Sequence, residues 1–181
     1  KQTKEKSKLE IKNSAPHLDV PLRRVSKIKP SIIAIGSSTG GPQALFEVLK
    51  GLSGEEKLPP IVITQHMPKT FTHILAEHLA NSVGRPVHEA TDGQSVCAGE
   101  VYIAPGDYHM LITGSANSPK IKLTQTAQEN FCRPSIDPMF KSLVKLYGGS
   151  ILSVMLTGMG HDGCKGTQAV VDAGGTMIAQ D

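Results

Sequence analysis

The sequence predicts an α/β fold: a mostly parallel sheet flanked by helices, with one antiparallel hairpin insert. Three observations carry this. Short, nearly continuous apolar runs recur along the chain, as expected of strands buried on both faces. Amphipathic helical segments separate them, which calls for parallel strands joined by right-handed crossovers. One stretch alternates apolar and polar residues about a Gly/Ser/Asn/Pro turn, as a hairpin with one wet face does.

Each element has a local reason. Ser31-Ile-Ile-Ala-Ile-Gly36 is the first buried strand. Ser37–Gly41 reads as a turn, and Pro42 falls where a first helical turn tolerates it. Ala44, Leu45, Val48 and Leu49 then form a helical stripe that Gly51 ends. Ile61–His66 is a second buried strand, followed by a helix from about Phe71 to Leu79. Val87–Ala90 and Val101–Ala104 are two further short strands, the latter closed by Pro105-Gly106. His109–Thr113 and Lys120–Thr124 make the hairpin. Ser135 is placed to cap a helix running to Tyr147, with Ile136, Met139, Phe140, Leu143 and Leu146 on one face and Gly148-Gly149 as its stop. Ile151–Leu156 is a buried strand, Cys164–Ala173 a short helix and Thr176–Ala179 a last strand.

Composition narrows the function classes. The 181 residues suffice for one domain plus a tail, and for a core that needs no staples. Three cysteines, Cys97, Cys132 and Cys164, share no C-x-x-C spacing, so a disulfide framework or zinc ribbon is not expected and a reducing cytoplasm is the expected home. No apolar run reaches the ~20 residues of a membrane span. Aromatic residues are 4% of the chain, too few for a base-stacking platform. The net charge of +3 is unevenly spread: residues 1–30 hold nine Lys/Arg and three acids, so the rest is net acidic. The basicity belongs to a Pro-punctuated stretch read as a flexible linker, and nucleic acid is not an expected partner.

The chemistry gathers at strand ends. Three of them lead into polar or Gly-rich turns: at Ser38, at His66, and at Gly158-Met-Gly-His-Asp-Gly163. In open parallel sheets ligands bind outside the carboxyl ends of strands. Gly36-Ser37-Ser38-Thr39-Gly40 fits G-x-S-x-G in the strand–turn–helix setting the pattern requires, with Ser38 central. A serine hydroxyl needs a base to take its proton. His66 is the best placed, with His109 and His161 as competitors near the same edge. A histidine base needs an acceptor on its second nitrogen, and Asp162 suits that role. The Gly-rich turn lacks the lysine of a P-loop, and the acid of a dinucleotide fingerprint is missing. No cofactor is expected. Metal binding by His66, His109, His161 and Asp162 is a secondary option without a zinc motif behind it.

Five ordered segments then carry a family resemblance: Ile35-Gly-Ser-Ser-Thr-Gly-Gly41, Thr64-Gln-His-Met-Pro68, Tyr102-Ile-Ala-Pro-Gly-Asp107 with His109-Met110, Arg133-Pro-Ser-Ile-Asp137, and Leu156-Thr-Gly-Met-Gly-His-Asp-Gly163. From about Ser31 to Gln180 the chain resembles the catalytic domain of the chemotaxis protein-glutamate methylesterase family. The resemblance implies a Rossmann-like three-layer sandwich and hydrolysis of γ-glutamyl methyl esters on chemoreceptor cytoplasmic helices, with deamidation of receptor glutamines in many members. It carries the triad onto Ser38, His66 and Asp162. It also implies an upstream receiver domain in cis, with residues 1–30 as the linker from it. Residues 31–181 would be the catalytic domain, lacking a C-terminal strand and helix that family members have. Within this frame the backbone N–H groups near Thr39 and Met159 are expected to hold the oxyanion. Arg133 is expected either to meet an acidic receptor surface or to pair with Asp137, and Asp107 and His109 to act as loop scaffolding. Two other readings stand beside this one: a non-catalytic receptor-binding or regulatory module of the same fold, and a small-molecule carboxylesterase with a deep apolar pocket.

Overall fold

The computed structural model describes residues 26–180, so most of the expected linker lies outside the described residues. The elements run β1 (Ile32–Ser37), α1 (Gly41–Gly51), β2 (Ile61–Gln65), α2 (Lys69–Val83), β3 (Val87–Glu89), β4 (Val101–Ile103), β5 (His109–Ser115), β6 (Ser118–Thr124), α3 (Ile136–Tyr147), β7 (Ile151–Met155), α4 (Cys164–Asp172) and β8 (Thr176–Ala179). Six strands form one sheet in the order β3-β4-β2-β1-β7-β8, with every pairing parallel. The hairpin β5-β6 forms a separate antiparallel sheet.

The unbroken apolar runs are explained by two cores, one on each face of the sheet. Successive side chains of a strand point to opposite faces. Ile33 and Ile35 of β1 and Ile61 and Ile63 of β2 pack with Leu45 and Leu49 of α1 and Leu75 and Leu79 of α2. Ile32, Ala34 and Val62 face the other way, onto Ile136, Met139, Phe140 and Leu143 of α3. The hairpin joins this second core through Met110, Ile112 and Ile121, while Thr113, Lys120 and Lys122 face solvent. The result is a three-layer sandwich with the hairpin covering one flank of α3.

Three expectations need adjusting. The hairpin strands extend to Ser115 and Ser118, so a two-residue Ala116-Asn117 turn replaces the broad one read from the sequence. Helix α2 begins at Lys69 and continues to Val83, because Thr72 and Val83 are buried in register with its apolar stripe. The alternation of strand and helix breaks between β3 and β4, which are joined by an irregular segment; Ser95 within it forms a bridge to Lys120 of the hairpin.

The feature that matters for function is the position of β1. It lies between β2 and β7, at the point where the chain turns from building one half of the sheet to building the other. Strands β1, β2 and β7 therefore deliver their following loops to one edge, the crevice where ligands bind in open α/β sheets.

Candidate active site

Ser38 follows β1 directly, and its backbone is held on both sides. Its N–H donates to the Thr157 carbonyl at 3.0 Å, and its carbonyl accepts from Gly41 N–H at 2.8 Å. Gly40 bridges to α1 with φ 78°, a left-handed conformation that glycine adopts without strain. From the opposite loop, Gly158 comes so close that a Cβ there would stand 2.8 Å from Cβ of Ser38. Ser38 thus sits on a tight strand-to-helix turn at the N-terminal end of α1, whose dipole and free N–H groups favour negative charge.

Gln65, the last residue of β2, ties the two strand ends together. Its side chain accepts from Ser37 Oγ at 2.7 Å and donates to the carbonyls of Ser38 and His66 at 2.9 and 3.0 Å. The glutamine is buried, so these bonds form where water does not compete. His66 follows at once, with its N–H donating to the Ser37 carbonyl at 3.0 Å.

The three expected residues meet. Ser38 Oγ lies 3.2 Å from His66 Nδ1, and His66 Nε2 lies 2.7 Å from Asp162 Oδ2. A carboxylate only accepts, so Nε2 carries the ring proton, and neutral Nδ1 is left to accept from the Ser38 hydroxyl. The histidine side chain is 17% exposed and the aspartate side chain 4%. His66 therefore opens to solvent on its serine side and is closed on its carboxylate side.

Asp162 is held by more than the imidazole. Ser135 Oγ donates to Oδ1 at 2.6 Å, Ile136 N–H to Oδ2 at 2.7 Å, Asn130 Nδ2 to Oδ1 at 2.9 Å and Gly163 N–H to Oδ1 at 3.0 Å. Burial alone would raise its pKa. The bonds from His66, Ser135, Ile136 and Asn130 outweigh burial and hold the carboxyl well below the usual carboxylate range. Ser135 occupies the N-cap position of α3, but its side chain does not cap the helix as expected. The carboxylate from the β7–α4 loop takes the N–H of Ile136 instead, and the serine hydroxyl is spent on the same carboxylate.

The competing histidines are elsewhere. Buried His109 accepts from Ser135 N–H at Nδ1 and donates from Nε2 to the Ala127 carbonyl, so both ring nitrogens are occupied in scaffolding. His161 is exposed, and its ring bonds neither Ser38 nor Asp162. Arg133 pairs with Asp107, at 2.6 Å, and not with Asp137, and it also donates to the Thr126 carbonyl at 2.9 Å. Asp137 is turned away, accepting from Gly166 N–H at 2.6 Å and from Asn130 at 3.1 Å. The Arg133 bond in turn holds the Asp107 carboxyl below its ordinary value. The N–H groups of Thr39 and Met159 make no hydrogen bond to another described residue, and Met159 lines the cavity at the triad.

Sequence reasoning missed Gln65, Asn130 and Cys132. Asn130 and Phe131 form the tip of a tight turn in which Glu129 and Cys132 exchange backbone hydrogen bonds, with φ of 52° and 63°. This places the Asn130 amide against Asp162 and the Cys132 thiol 3.8 Å from His66 Nδ1. An Asn in a left-handed turn position was the one local signal available for that loop.

The cavity at the triad has a volume of about 90 Å³ and is lined by Ser38, His66, Asp162, Ile136 and the Met155–Gly160 stretch. Two large apolar side chains stand in solvent on the loops beside it: Phe131, 96% exposed, and Met159, 85% exposed.

Comparison with known proteins shows the family. Residues 33–181 match the family model described as CheB methylesterase. The chain is 56% identical over 153 residues to the protein-glutamate methylesterase/protein-glutamine glutaminase of group 2 operon from Rhodospirillum centenum, covering 84% of this chain and 38% of that one. It is 57% identical over 158 residues to the protein-glutamate methylesterase/protein-glutamine glutaminase of Azospirillum brasilense, covering 87% of this chain and 40% of that one. It thus spans about two fifths of the length of these relatives. The crystal structure of the Thermotoga maritima CheB methylesterase catalytic domain superposes with a TM-score of 0.80 at 40% identity, over 85% of this chain and 81% of that one.

Proposed function

Because the chain belongs to the CheB methylesterase family, we propose that it is a serine hydrolase that removes methyl esters from glutamate side chains of chemoreceptors and deamidates receptor glutamines. The observation that carries this is the continuous hydrogen-bonded relay from Ser38 through His66 to Asp162. In this reading Ser38 Oγ attacks the γ-carbonyl carbon of the methylated glutamate while His66 Nδ1 takes the hydroxyl proton. Asp162 fixes the tautomer and stabilises the imidazolium through Nε2. The tetrahedral oxyanion is held by N–H groups at Thr39 and Met159 and by the positive end of α1. As the C–O bond to the methoxy group breaks, the imidazolium returns its proton and methanol leaves. Water, deprotonated by the same nitrogen, then attacks the acyl-enzyme and frees the glutamate. For a glutamine substrate the leaving group is ammonia.

The small cavity favours a protein substrate over a small ester. Small-molecule sites run to ~300–1,000 Å³ and enclose most of their ligand, whereas the cavity here of about 90 Å³ accepts little more than one side-chain tip. Exposed Phe131 and Met159 beside it suit the apolar part of a receptor helix. Among the described residues no helix is long and apolar enough to cross a membrane. A receiver domain in cis, acting through residues 1–30, is part of the same reading.

The decisive experiment is methanol release from methylated receptor by the wild type and by Ser38→Ala. The variant is expected to release methanol at less than about one ten-thousandth of the wild-type rate with an unchanged melting temperature. Full activity in a folded Ser38→Ala protein would reject Ser38 as the nucleophile, and no methanol release by the wild type would leave the non-catalytic binding module as the better account.

A further inference from the structure

We propose that the working face of the triad is also a binding site for a zinc-class divalent cation, held by His66 Nδ1, Cys132 Sγ and Ser38 Oγ, and that its occupation switches hydrolysis off. The inference rests on the role of His66 as base, but the binding itself does not. The ligand atoms of His66, Cys132 and Asp162 lie within 4.8 Å of one another, and the spacings say which side of the ring a metal would use. In a tetrahedral zinc site, with Zn–N about 2.0 Å and Zn–S about 2.3 Å, nitrogen and sulfur ligands stand about 3.5 Å apart, and nitrogen and oxygen ligands about 3.3 Å. The Nε2–Asp162 separation of 2.7 Å is too short to admit an ion between them; it is a hydrogen bond. On the other side of the ring, Nδ1 has Cys132 Sγ at 3.8 Å and Ser38 Oγ at 3.2 Å. Both spacings come within a few tenths of an ångström of those a zinc ion needs.

One further feature matches a metal site. Asp162 behind the ring supplies the carboxylate–histidine pairing that orients metal-binding imidazoles and raises their basicity. Neutral Nδ1 presents its lone pair to the position in question. Thiolate and imidazole together select zinc-class ions over calcium or magnesium. On binding, the Cys132 thiol gives its proton to solvent, the sulfur–metal bond forms, and Nδ1 donates its lone pair to the ion. A nitrogen so engaged takes no proton from Ser38, so acylation stops.

Cobalt(II) is the probe, because a thiolate–cobalt bond gives a near-ultraviolet charge-transfer band that needs no ester substrate. The chain has three cysteines, and a Cys97→Ser/Cys164→Ser background leaves Cys132 as its one thiol. In that protein cobalt is expected to produce the band, zinc to displace it mole for mole, and Cys132→Ser to abolish it. Loss of an outer-shell partner alone costs about 10–100-fold in metal affinity, so Cys132→Ser in the wild-type chain is expected to raise the half-inhibiting zinc concentration at least about tenfold. No band in the single-thiol protein, or zinc inhibition unchanged in Cys132→Ser, overturns the proposal. A band without any measurable hydrolase activity in the wild type would retain the metal site and reject the proposed function instead.

Discussion

The two nitrogens of His66 face very different surroundings. Nε2 meets a carboxylate that five further donors from three chain segments hold in place. Nδ1 meets one serine hydroxyl at 3.2 Å, a thiol at 3.8 Å and a cavity whose rim includes the exposed stretch from Gly158 to Gly160. One end is preorganised and dry, the other spare and open. On the proposed reading the rigidity lies in the groups that aim His66, and not in those that would receive the substrate.

Substitutions on each side test that division. Ser38→Ala removes the open side's nucleophile and is expected to have the largest kinetic effect with no loss of stability. Next comes Asp162→Asn, which strikes the closed side. Loss of the orienting carboxylate is expected to lower kcat by about 10⁴, and, unlike Ser38→Ala, to lower the unfolding free energy at neutral pH. The sign follows from the depressed carboxyl. Its stabilising contribution is complete above the unfolded pKa of about 3.9 and is lost as pH falls from there toward the folded value. Denaturant titrations between pH 6 and 2 (an experimental range of roughly four units) should show a steeper acid loss in the wild type than in Asp162→Asn. Equal slopes would mean the carboxylate is not held as described.

Asn130→Ala removes one donor from the closed side. Its expected cost is about 1–2 kcal/mol, read as an approximately 5–30-fold fall in kcat with KM little changed. An equal fall confined to KM would place Asn130 among substrate contacts instead. Arg133→Gln lies outside both sides. With its guanidinium spent on Asp107 and on loop carbonyls, the variant is expected to lose about 1 kcal/mol of stability and to keep its KM. A raised KM at unchanged stability would restore the contact with an acidic receptor surface.

Much of this was legible in the residues. The apolar runs at Ile32, Ile61 and Ile151 read as strands because burial on both faces removes polar alternation. Ser38, His66 and Asp162 were legible as strand-end residues, since the parallel sheet dictates which edge they reach. The shell around Asp162 was not. Ser135 read as a helix cap from local rules, but a carboxylate 27 residues later competes for the same N–H groups and wins on charge. Arg133 and Asp137 are four apart and oppositely charged, which suggested a pair. The helix start turns Asp137 inward to Gly166, and Asp107, 26 residues earlier in the chain, takes the arginine. Long-range polar partners of this kind leave no periodic trace, and neither did the placement of Cys132 beside the imidazole.

The cap of α3 by Asp162 has a practical consequence. A side chain that closes a helix and also steers a base cannot be exchanged without disturbing the scaffold. An inactive form for testing the proposed receptor complex is therefore better made at the alcohol than at the acid, because only the former leaves the architecture at full strength.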